Sequence, residues 1–352
     1  MTRVSQKAYG KGAMLPIQRV LAALRLEPVD RPPVAAFSTA LNRTMMDWAG
    51  EDFVSALGAP ERYARLASAP WEVYGIENLK IPFDMTVEPE IFGAEISAGG
   101  AQALPQVRGH RFDQPEDFVV PDGWEKRGRV PFMREVFRIL KKEYGGRVPI
   151  CHLCDGPFSL ANMLFGFENL LTWSITDAAA YACAMEGVTD FCIRYCGMLS
   201  EEGVDIIQFG EAAASGDLIS GRQYSRLVAP YHARLAKSVT TPNVIHICGD
   251  ITGHFPALAA TGLGAISFDA KADLKAAVRH CKGKMALVGC VPIPLLNEGT
   301  PEQVSAFARD CLSRGIHILH AGCAWPPTVP DANAWAFVEA CRQGRPAAGQ
   351  GA

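Results

Sequence analysis

The chain has 352 residues, and 49% of them are hydrophobic, which is enough for a substantial core in one large barrel or two ordinary domains. Its 34 basic and 37 acidic residues give a net charge of −3 without any Lys/Arg-rich run, so we expect no nucleic-acid partner. The apolar stretches are strand-length, shorter than the roughly 20 residues that cross a bilayer, and no apolar segment follows the charged N-terminus. We therefore expect no membrane association and predict a cytoplasmic protein.

The chain contains 11 cysteines, scattered through helix and strand patterns rather than at the spacings of a disulfide framework. In a reducing compartment this favours free thiols and metal ligands. Within residues 151–154 (Cys-His-Leu-Cys) the two thiols would face opposite sides of a strand, so we interpret that segment as structural. Cys183, Cys192 and Cys196 follow helical spacing among apolar residues, and we expect them to pack in a core.

The first half of the chain is mainly helical in pattern. Residues 1–13 are polar and glycine-rich, and we expect them to be frayed. Apolar residues at helical spacing predict a helix over 14–26, which the following prolines end. A helical region over 45–74 is then bracketed by two short apolar segments, 33–37 and 79–83, which we predict as buried strands.

Residues 94–108 alternate between polar and apolar and carry Gly99-Gly100 at their centre, which predicts an inserted β-hairpin. Beyond it, helical patterns precede short, continuously apolar segments in regular alternation. Six such segments are predicted strands, at residues 148–153, 204–209, 244–247, 265–268, 285–289 and 316–319.

Eight predicted strands, each short and apolar and most of them followed by a helix, are typical of a parallel sheet covered on both faces. We predict a single domain over 1–352 with a (β/α)8 TIM barrel, an N-terminal helical extension and the inserted hairpin. A doubly wound open sheet alternates in the same way, but no Gly-x-Gly-x-x-Gly turn follows the first predicted strand.

The most informative stretch is residues 243–250, Asn-Val-Ile-His-Ile-Cys-Gly-Asp. Its β-forming residues lead into His246 and Cys248, which lie two apart and so share one face of a strand. The spacing suits half of a zinc site. The alternative is a hydrogen-bonded core histidine beside a small buried cysteine, which is the commoner fate of either residue alone.

In a TIM barrel the active site lies at the carboxyl ends of the strands, so residues that follow different strands meet at one mouth. His246, Cys248 and Cys323 would supply one nitrogen and two sulfurs, a soft set that selects zinc. Asp269 would add an oxygen ligand that a substrate could displace.

Three further residues near strand ends are weaker candidates. Cys290 ends a strand at the same mouth, but a further thiolate would suit a closed structural site rather than a catalytic one. His317 and His320 flank the last strand as possible supports of the ligands, and we favour a core position for both.

These features resemble the uroporphyrinogen decarboxylase superfamily, and within it the corrinoid-dependent methyltransferases that act on coenzyme M. The resemblance extends over nearly the whole chain. It is carried by residues 23–34, 82–90, 155–159, 246–249 and 321–323.

The resemblance implies a zinc-dependent enzyme that transfers the methyl group of methylcobalamin to a thiol such as coenzyme M. No Asp-x-His-x-x-Gly segment is present, so we expect the corrinoid to arrive on a separate corrinoid protein. Asp84 and Glu211 follow two of the predicted strands and are candidates for polar contacts to the substrate, or equally for salt-bridged positions at the rim. The coenzyme M enzymes would have Asp-Pro where this chain has Glu211-Ala212, which leaves the acceptor open.

The sequence allows three alternatives to methyl transfer from methylcobalamin to a thiol. The same fold could demethylate a small O-, N- or S-methyl compound onto a cob(I)alamin protein, or it could be a non-catalytic zinc barrel. Uroporphyrinogen decarboxylation is disfavoured, because residues 35–40 lack the arginines that would hold the porphyrinogen carboxylates, and because Cys323 and Met163 replace the expected histidine and tyrosine.

Overall fold

A computed structural model describes residues 13–101 and 103–342. The strands are β1 (Leu79–Ile81), β2 (Glu95–Ser97), β3 (Gln106–Arg108), β4 (Ile150–Asp155), β5 (Ile206–Gly210), β6 (Asn243–Ile247), β7 (Ala265–Phe268), β8 (Ala286–Val291) and β9 (Ile318–Ala321).

Helices precede or follow nearly every strand. They are α1 (Pro16–Leu24), α2 (Arg43–Ala49), α3 (Phe53–Ala56), α4 (Pro60–Ala69), α5 (Val87–Ile91), α6 (Val130–Tyr144), α7 (Pro157–Phe165), α8 (Phe167–Thr176), α9 (Ala178–Glu202), α10 (Gly221–Gln223), α11 (Ala229–Ser238), α12 (Phe255–Leu258), α13 (Leu274–Cys281), α14 (Ile293–Glu298), α15 (Pro301–Ser313) and α16 (Asp331–Arg342).

Seven of the strands form one parallel sheet in the order β1-β4-β5-β6-β7-β8-β9, which follows the order of the chain. Strands β2 and β3 form a separate antiparallel hairpin in which Glu95 pairs with Arg108. The predicted barrel class with its inserted hairpin is therefore confirmed. The predicted frayed segment lies almost entirely outside the described residues, and the division of the chain into a single domain stays a prediction.

The barrel closes between β1 and β9 through the segment that we predicted as its first strand. Only Val34 forms a strand-like bridge there, with Leu319 of β9. On the other side the Asn78 side chain replaces a backbone ladder, because it accepts from the Ala36 N–H at 2.7 Å and donates to the Ala36 carbonyl at 2.8 Å. Pro33 has no N–H, which removes one hydrogen-bond donor from the start of this segment.

Side chains alternate between the barrel interior and the layer of helices, as the period of two requires. In β5, Ile207 and Phe209 pack in the outer core, the cluster between the sheet and the helices. Ile206 instead belongs to the inner cluster inside the barrel, which includes Cys151 and Val20 of α1. Helix α1 thus covers the amino-terminal end of the barrel, and the carboxyl ends of the strands form the opposite mouth.

The alternation also decides the fate of the cysteines predicted to be structural. Cys151 lies in the inner cluster and Cys154 in the outer core, on opposite faces of β4 as expected. Cys192 and Cys196 are buried, but Cys183 is exposed, so the packing role predicted for Cys183 is wrong. It lies on the same helix, α9, but its side chain is exposed to solvent.

None of the helices in the described part of the chain combines the length and the apolar run needed to span a bilayer.

Candidate metal centre

The side chains of His246, Cys248 and Cys323 converge at the carboxyl ends of β6 and β9. His246 lies within β6, Cys248 follows it immediately, and Cys323 follows β9. The His246 Nε2 atom is 3.3 Å from the Cys248 Sγ atom, and the two sulfurs are 3.8 Å apart. All ligand atoms of this group lie within 4.8 Å of one another.

These separations fit a tetrahedral zinc ion. Zinc–sulfur bonds of about 2.3 Å and zinc–nitrogen bonds of about 2.0–2.1 Å place two sulfurs about 3.8 Å apart and a nitrogen about 3.6 Å from a sulfur. The soft donor set excludes magnesium and calcium as natural occupants. His246, Cys248 and Cys323 could therefore hold zinc with one position left for another ligand.

A hydrogen bond on the side away from the thiols orients the His246 imidazole. Ser267 of β7 shares a 3.0 Å hydrogen bond through its hydroxyl with the His246 Nδ1 atom. This contact directs Nε2 toward the thiols, and His246 itself is only 7% exposed. Sequence reasoning missed Ser267, although its position on the inward face of the neighbouring strand could have indicated it.

The two thiols differ in acidity because they are in contact. A hydrogen bond from Cys248 lowers the pKa of Cys323 to about 4, against the opposing effect of burial. The same contact raises the pKa of Cys248. One sulfur is therefore a thiolate at neutral pH, which is the form that binds a metal ion.

Asp269 follows β7 at the same mouth, but its carboxylate is outside the group of mutually close ligand atoms. Its Oδ1 atom accepts a hydrogen bond from the Lys271 N–H at 3.1 Å. Binding of a metal ion by Asp269 stays a prediction.

Asp84 lies beyond β1 and is held by Arg129, whose guanidinium donates to both carboxylate oxygens at 2.9 and 3.0 Å. The Thr86 N–H also donates to it at 3.1 Å. Asp84 is 5% exposed, and its contact with a substrate stays a prediction.

Glu211 directly follows β5 and is completely buried. Its oxygens accept hydrogen bonds from the Phe158 and Ser159 N–H groups, each at 3.0 Å, and from the Ser159 hydroxyl. His232 lies 2.9 Å from the same carboxylate. These hydrogen bonds connect the carboxylate to the start of α7, and contact of Glu211 with a substrate stays a prediction.

Cys290, His317 and His320 have other partners than the three candidate metal ligands. The Cys290 sulfur is 3.9 Å from that of Cys311 in α15, so it faces the helix layer. His320 is buried, and its Nε2 atom accepts a hydrogen bond from the Ser38 N–H at 2.9 Å. His317 is partly buried, with its Nδ1 atom 3.0 Å from the Leu287 N–H.

Sequence reasoning also missed three buried ionisable groups near the mouth. Lys80 lies in the middle of β1, where a lysine within an otherwise apolar strand was the available signal. Glu88 of α5 accepts a hydrogen bond from the Asp155 N–H at 3.0 Å. Neither carboxylate oxygen of Asp155 has a hydrogen-bond partner among the described residues.

Comparisons with known proteins identify relatives of this chain. A methylcobamide:CoM methyltransferase, MtbA of Methanosarcina acetivorans, is 33% identical over 335 residues, covering 93% of this chain and 97% of the relative. A methylated-thiol--coenzyme M methyltransferase of Methanosarcina mazei is 32% identical, covering 94% of this chain and 90% of the relative. The solved structure of a methyltransferase from Methanosarcina mazei is 31% identical with a TM-score of 0.90, covering 94% of this chain and 99% of that one.

A model of the uroporphyrinogen decarboxylase (URO-D) family matches residues 15–344, nearly the whole chain. The barrel, the three converging ligands and this match lead to one conclusion: the chain belongs to the uroporphyrinogen decarboxylase family.

Proposed function

We propose that this protein is a zinc-dependent methyltransferase that moves a methyl group from a methylated corrinoid, carried by a separate corrinoid protein, to a thiol such as coenzyme M. The observation that carries the proposal is the group of His246, Cys248 and Cys323, whose ligand atoms all lie within 4.8 Å of one another at the open end of the barrel. The similarity to methylcobamide:CoM methyltransferases supports the same reaction.

The side chains of this group would hold the ion through one nitrogen and two sulfurs and leave a position for the acceptor. Bound zinc lowers the pKa of a coordinated thiol, so that the thiol is a nucleophilic thiolate at neutral pH. Ser267 keeps the His246 ring in the required orientation through its hydrogen bond.

In the proposed reaction the methyl group moves from the cobalt to the acceptor sulfur. The acceptor sulfur loses its proton to solvent and forms a bond to the methyl carbon. The cobalt–carbon bond breaks, and its electron pair stays on the cobalt, which is reduced from cobalt(III) to cobalt(I). Because the sequence has no Asp-x-His-x-x-Gly segment, we assign the corrinoid to a partner protein that docks over the barrel mouth.

The carboxylates take different roles in this proposal. Asp269, at the same mouth, is the proposed oxygen ligand that the acceptor thiol replaces. Asp84 remains a candidate for substrate contact together with its partner Arg129. We assign Glu211 a positioning role, because its partners are protein groups: the first N–H groups of α7 and the imidazole of His232 in α11.

Decarboxylation of a porphyrinogen fits this chain less well. Residues 35–40, Ala-Ala-Phe-Ser-Thr-Ala, carry no guanidinium that could pair with the carboxylates of a tetrapyrrole. The three soft ligands would also have no part in such a reaction.

A second candidate is the reverse half of corrinoid chemistry, in which a methylated compound gives its methyl group to a cob(I)alamin protein. The similarity to a methylated-thiol--coenzyme M methyltransferase favours a methylated thiol as that compound. The same three ligands would then bind the sulfur that leaves.

Zinc-reconstituted protein mixed with methylcobalamin and coenzyme M tests the proposal. We expect the absorbance of the methyl-cobalt species to decay and methyl-coenzyme M to form, and the Cys323→Ser variant to lose most of the activity. Methylation of cob(I)alamin by a methylated thiol, without transfer to coenzyme M, would favour the second candidate. Inertness in both directions, with zinc bound, would leave only a non-catalytic barrel.

A further inference from the structure

Asp155 is a buried acid at the carboxyl end of β4. Cys151, four residues earlier, belongs to the inner cluster, so strand alternation directs the Asp155 side chain into the barrel interior at the mouth. The residue is 1% exposed, and neither of its carboxylate oxygens has a hydrogen-bond partner among the described residues. A carboxyl group buried in this way gives up hydrogen bonds to water without replacing them, which points to a ligand that the chain does not supply.

Gln208 adds a second unpartnered acceptor on the neighbouring strand, β5. It lies two residues after Ile206 of the inner cluster, so it faces the same interior, and it is 2% exposed. Its Oε1 atom has no hydrogen-bond partner in the described part of the chain. Gln208 is paired in register with Leu153, two residues before Asp155, so the two acceptors lie on adjacent strands. Because a carboxylate and an amide oxygen both accept hydrogen bonds, the ligand that fits them is a donor.

The charges around Asp155 favour a cationic donor. After burial, the groups that act most strongly on its carboxyl group are Glu88, Asp84 and Glu211, which are all acids. Arg129 offsets them in part, because it pairs with Asp84. Burial and the neighbouring acids raise the pKa of Asp155, so the group on its own holds a proton at neutral pH. An ammonium group beside it would let the carboxyl group ionise, whereas an anion would oppose ionisation further.

Asp155 also lies in one row with the candidate metal centre. It is paired in register with Gly210, and Gly210 is paired with His246, across β4, β5 and β6. At about 4.8 Å between adjacent strands, Asp155 and His246 are about 10 Å apart at the backbone. Gly210 places no side chain between them, and a Cβ atom there would lie 2.9 Å from the Sδ atom of the flexible Met85 side chain. A molecule of a few bonds can therefore extend from the Asp155 carboxyl group to the metal ligands.

We infer that Asp155, with the amide oxygen of Gln208, binds an ammonium group on the acceptor thiol while the acceptor sulfur reaches the group of His246, Cys248 and Cys323. This inference rests on the proposed function and specifies its substrate class: an aminothiol with a short carbon chain between nitrogen and sulfur. An ammonium group has three N–H donors, enough for both unpartnered acceptors. A hydroxyl at the same place supplies one donor without charge, and a sulfonate supplies no donor.

Calorimetric titration of the zinc-reconstituted protein with matched thiols, without any corrinoid, tests the inference. Cysteamine, 2-mercaptoethanol and coenzyme M share a two-carbon chain and end in an ammonium, a hydroxyl and a sulfonate group. We expect cysteamine to bind about tenfold or more tightly than 2-mercaptoethanol, and Asp155→Asn to remove most of that preference. The longer pair of 3-aminopropanethiol and 3-mercaptopropanol repeats the comparison, and a preference for the amine in either pair supports the inference.

Proton release provides a readout that a purely structural role of Asp155 would not change. Because the bound ammonium group favours the ionised carboxylate, the preferred aminothiol should release about one proton more on binding than its hydroxyl analogue does. Titrations in buffers with different ionisation enthalpies measure this difference. Asp155→Asn should abolish it, and Gln208→Met, which keeps the carboxyl group, should retain it with weaker binding.

Glu88→Gln is the matched control. Glu88 is also a buried acid at the mouth, but its Oε1 atom already accepts a hydrogen bond from the Asp155 N–H at 3.0 Å. This variant should keep most of the preference for the amine. An equal loss in Glu88→Gln and Asp155→Asn would overturn the inference, as would a wild type that prefers coenzyme M or binds amine and hydroxyl thiols equally.

The inference and the proposed function fail in different ways. Asp155-dependent binding of an aminothiol, without methyl transfer to any thiol, would remove the proposed function but keep the ammonium site. Methyl transfer to coenzyme M and cysteamine with equal efficiency, unchanged in Asp155→Asn, would keep the proposed function and overturn the inference.

Discussion

At the scale of single residues, the candidate metal centre depends on two local rules and one distant contact. The spacing of two within β6 places His246 and Cys248 on one face of the strand, and Ser267 fixes the imidazole. Cys323 joins them from 75 residues further along the chain, with its sulfur 3.8 Å from that of Cys248. The acidity of this thiol follows from that contact rather than from its own neighbours in sequence.

Replacing Cys323 by serine should remove most of the zinc that we propose for this site, while the fold persists. The residue is only partly buried, and the ligands sit on a barrel whose core does not depend on them, so we expect loss of metal without unfolding. Zinc content after dialysis and far-ultraviolet circular dichroism measure the two effects.

Cys290→Ser is the matched control, because Cys290 also ends a strand at the mouth but contacts Cys311 instead. It should retain its zinc. Equal zinc content in both variants would exclude Cys323 from the ligand set.

At the scale of elements, the junction between β4 and α7 shows how a turn is held in place. Gly156 precedes α7, and a Cβ atom at this position would lie 2.3 Å from the Glu211 Cδ atom. The absence of a side chain therefore lets the buried carboxylate approach the first N–H groups of the helix. A carboxylate at a helix N-terminus also interacts favourably with the helix dipole.

Gly156→Ala should destabilise the protein by about 1–3 kcal/mol, since either Glu211 or the backbone must move. Urea unfolding followed by circular dichroism measures the change. Gly197→Ala within α9 is the control: no atom lies within 4 Å of the added Cβ, and helix propensity predicts a gain of about 0.5–1 kcal/mol. A neutral effect at Gly156 would show that the junction is looser than these contacts indicate.

At the scale of the whole molecule, buried acids near the mouth connect stability to pH. Burial raises the pKa of Glu88 from 4.5 to about 7. Burial and the neighbouring Glu88 also raise the pKa of Asp155. The charges of Asp84 and Arg129 act on Glu88 in opposite directions. Between pH 4.5 and about 7 the native state therefore keeps a proton on Glu88 that the unfolded chain releases.

Stability should consequently fall as the pH rises from 6 to 8. The contribution of Glu88 is complete below its unfolded pKa of 4.5 and is lost as the pH rises through about 7. Glu88 alone should account for about 1 kcal/mol over this interval, at 1.36 kcal/mol for each unit of pKa shift. Unfolding free energies from urea titrations at several pH values provide the measurement.

Glu88→Gln should flatten this pH dependence and make the protein more stable than the wild type at pH 8. The exposed Glu95→Gln should keep the wild-type slope. A slope that survives in Glu88→Gln would assign the pH dependence to other groups.

The residue pattern alone was enough to predict the alternating strands and helices, the hairpin and the convergence of the three candidate metal ligands. These features depend on periods of two and 3.6 residues and on the known location of barrel strand ends, which are local properties. The boundaries shifted where single residues intervened, as at Pro33, and the final helix, α16, was not predicted.

Only the tertiary structure decided which charged side chains have partners. In the structure Glu211 accepts hydrogen bonds from the start of α7, and Asp84 pairs with Arg129. Asp269 lies outside the group of His246, Cys248 and Cys323. Lys80 donates to the Pro82 carbonyl and has no carboxylate partner in the described part of the chain. The reason is physical: strand parity fixes the direction of a side chain, but the distance between groups on different strands depends on register, barrel curvature and packing. Those quantities arise from contacts between residues far apart in sequence.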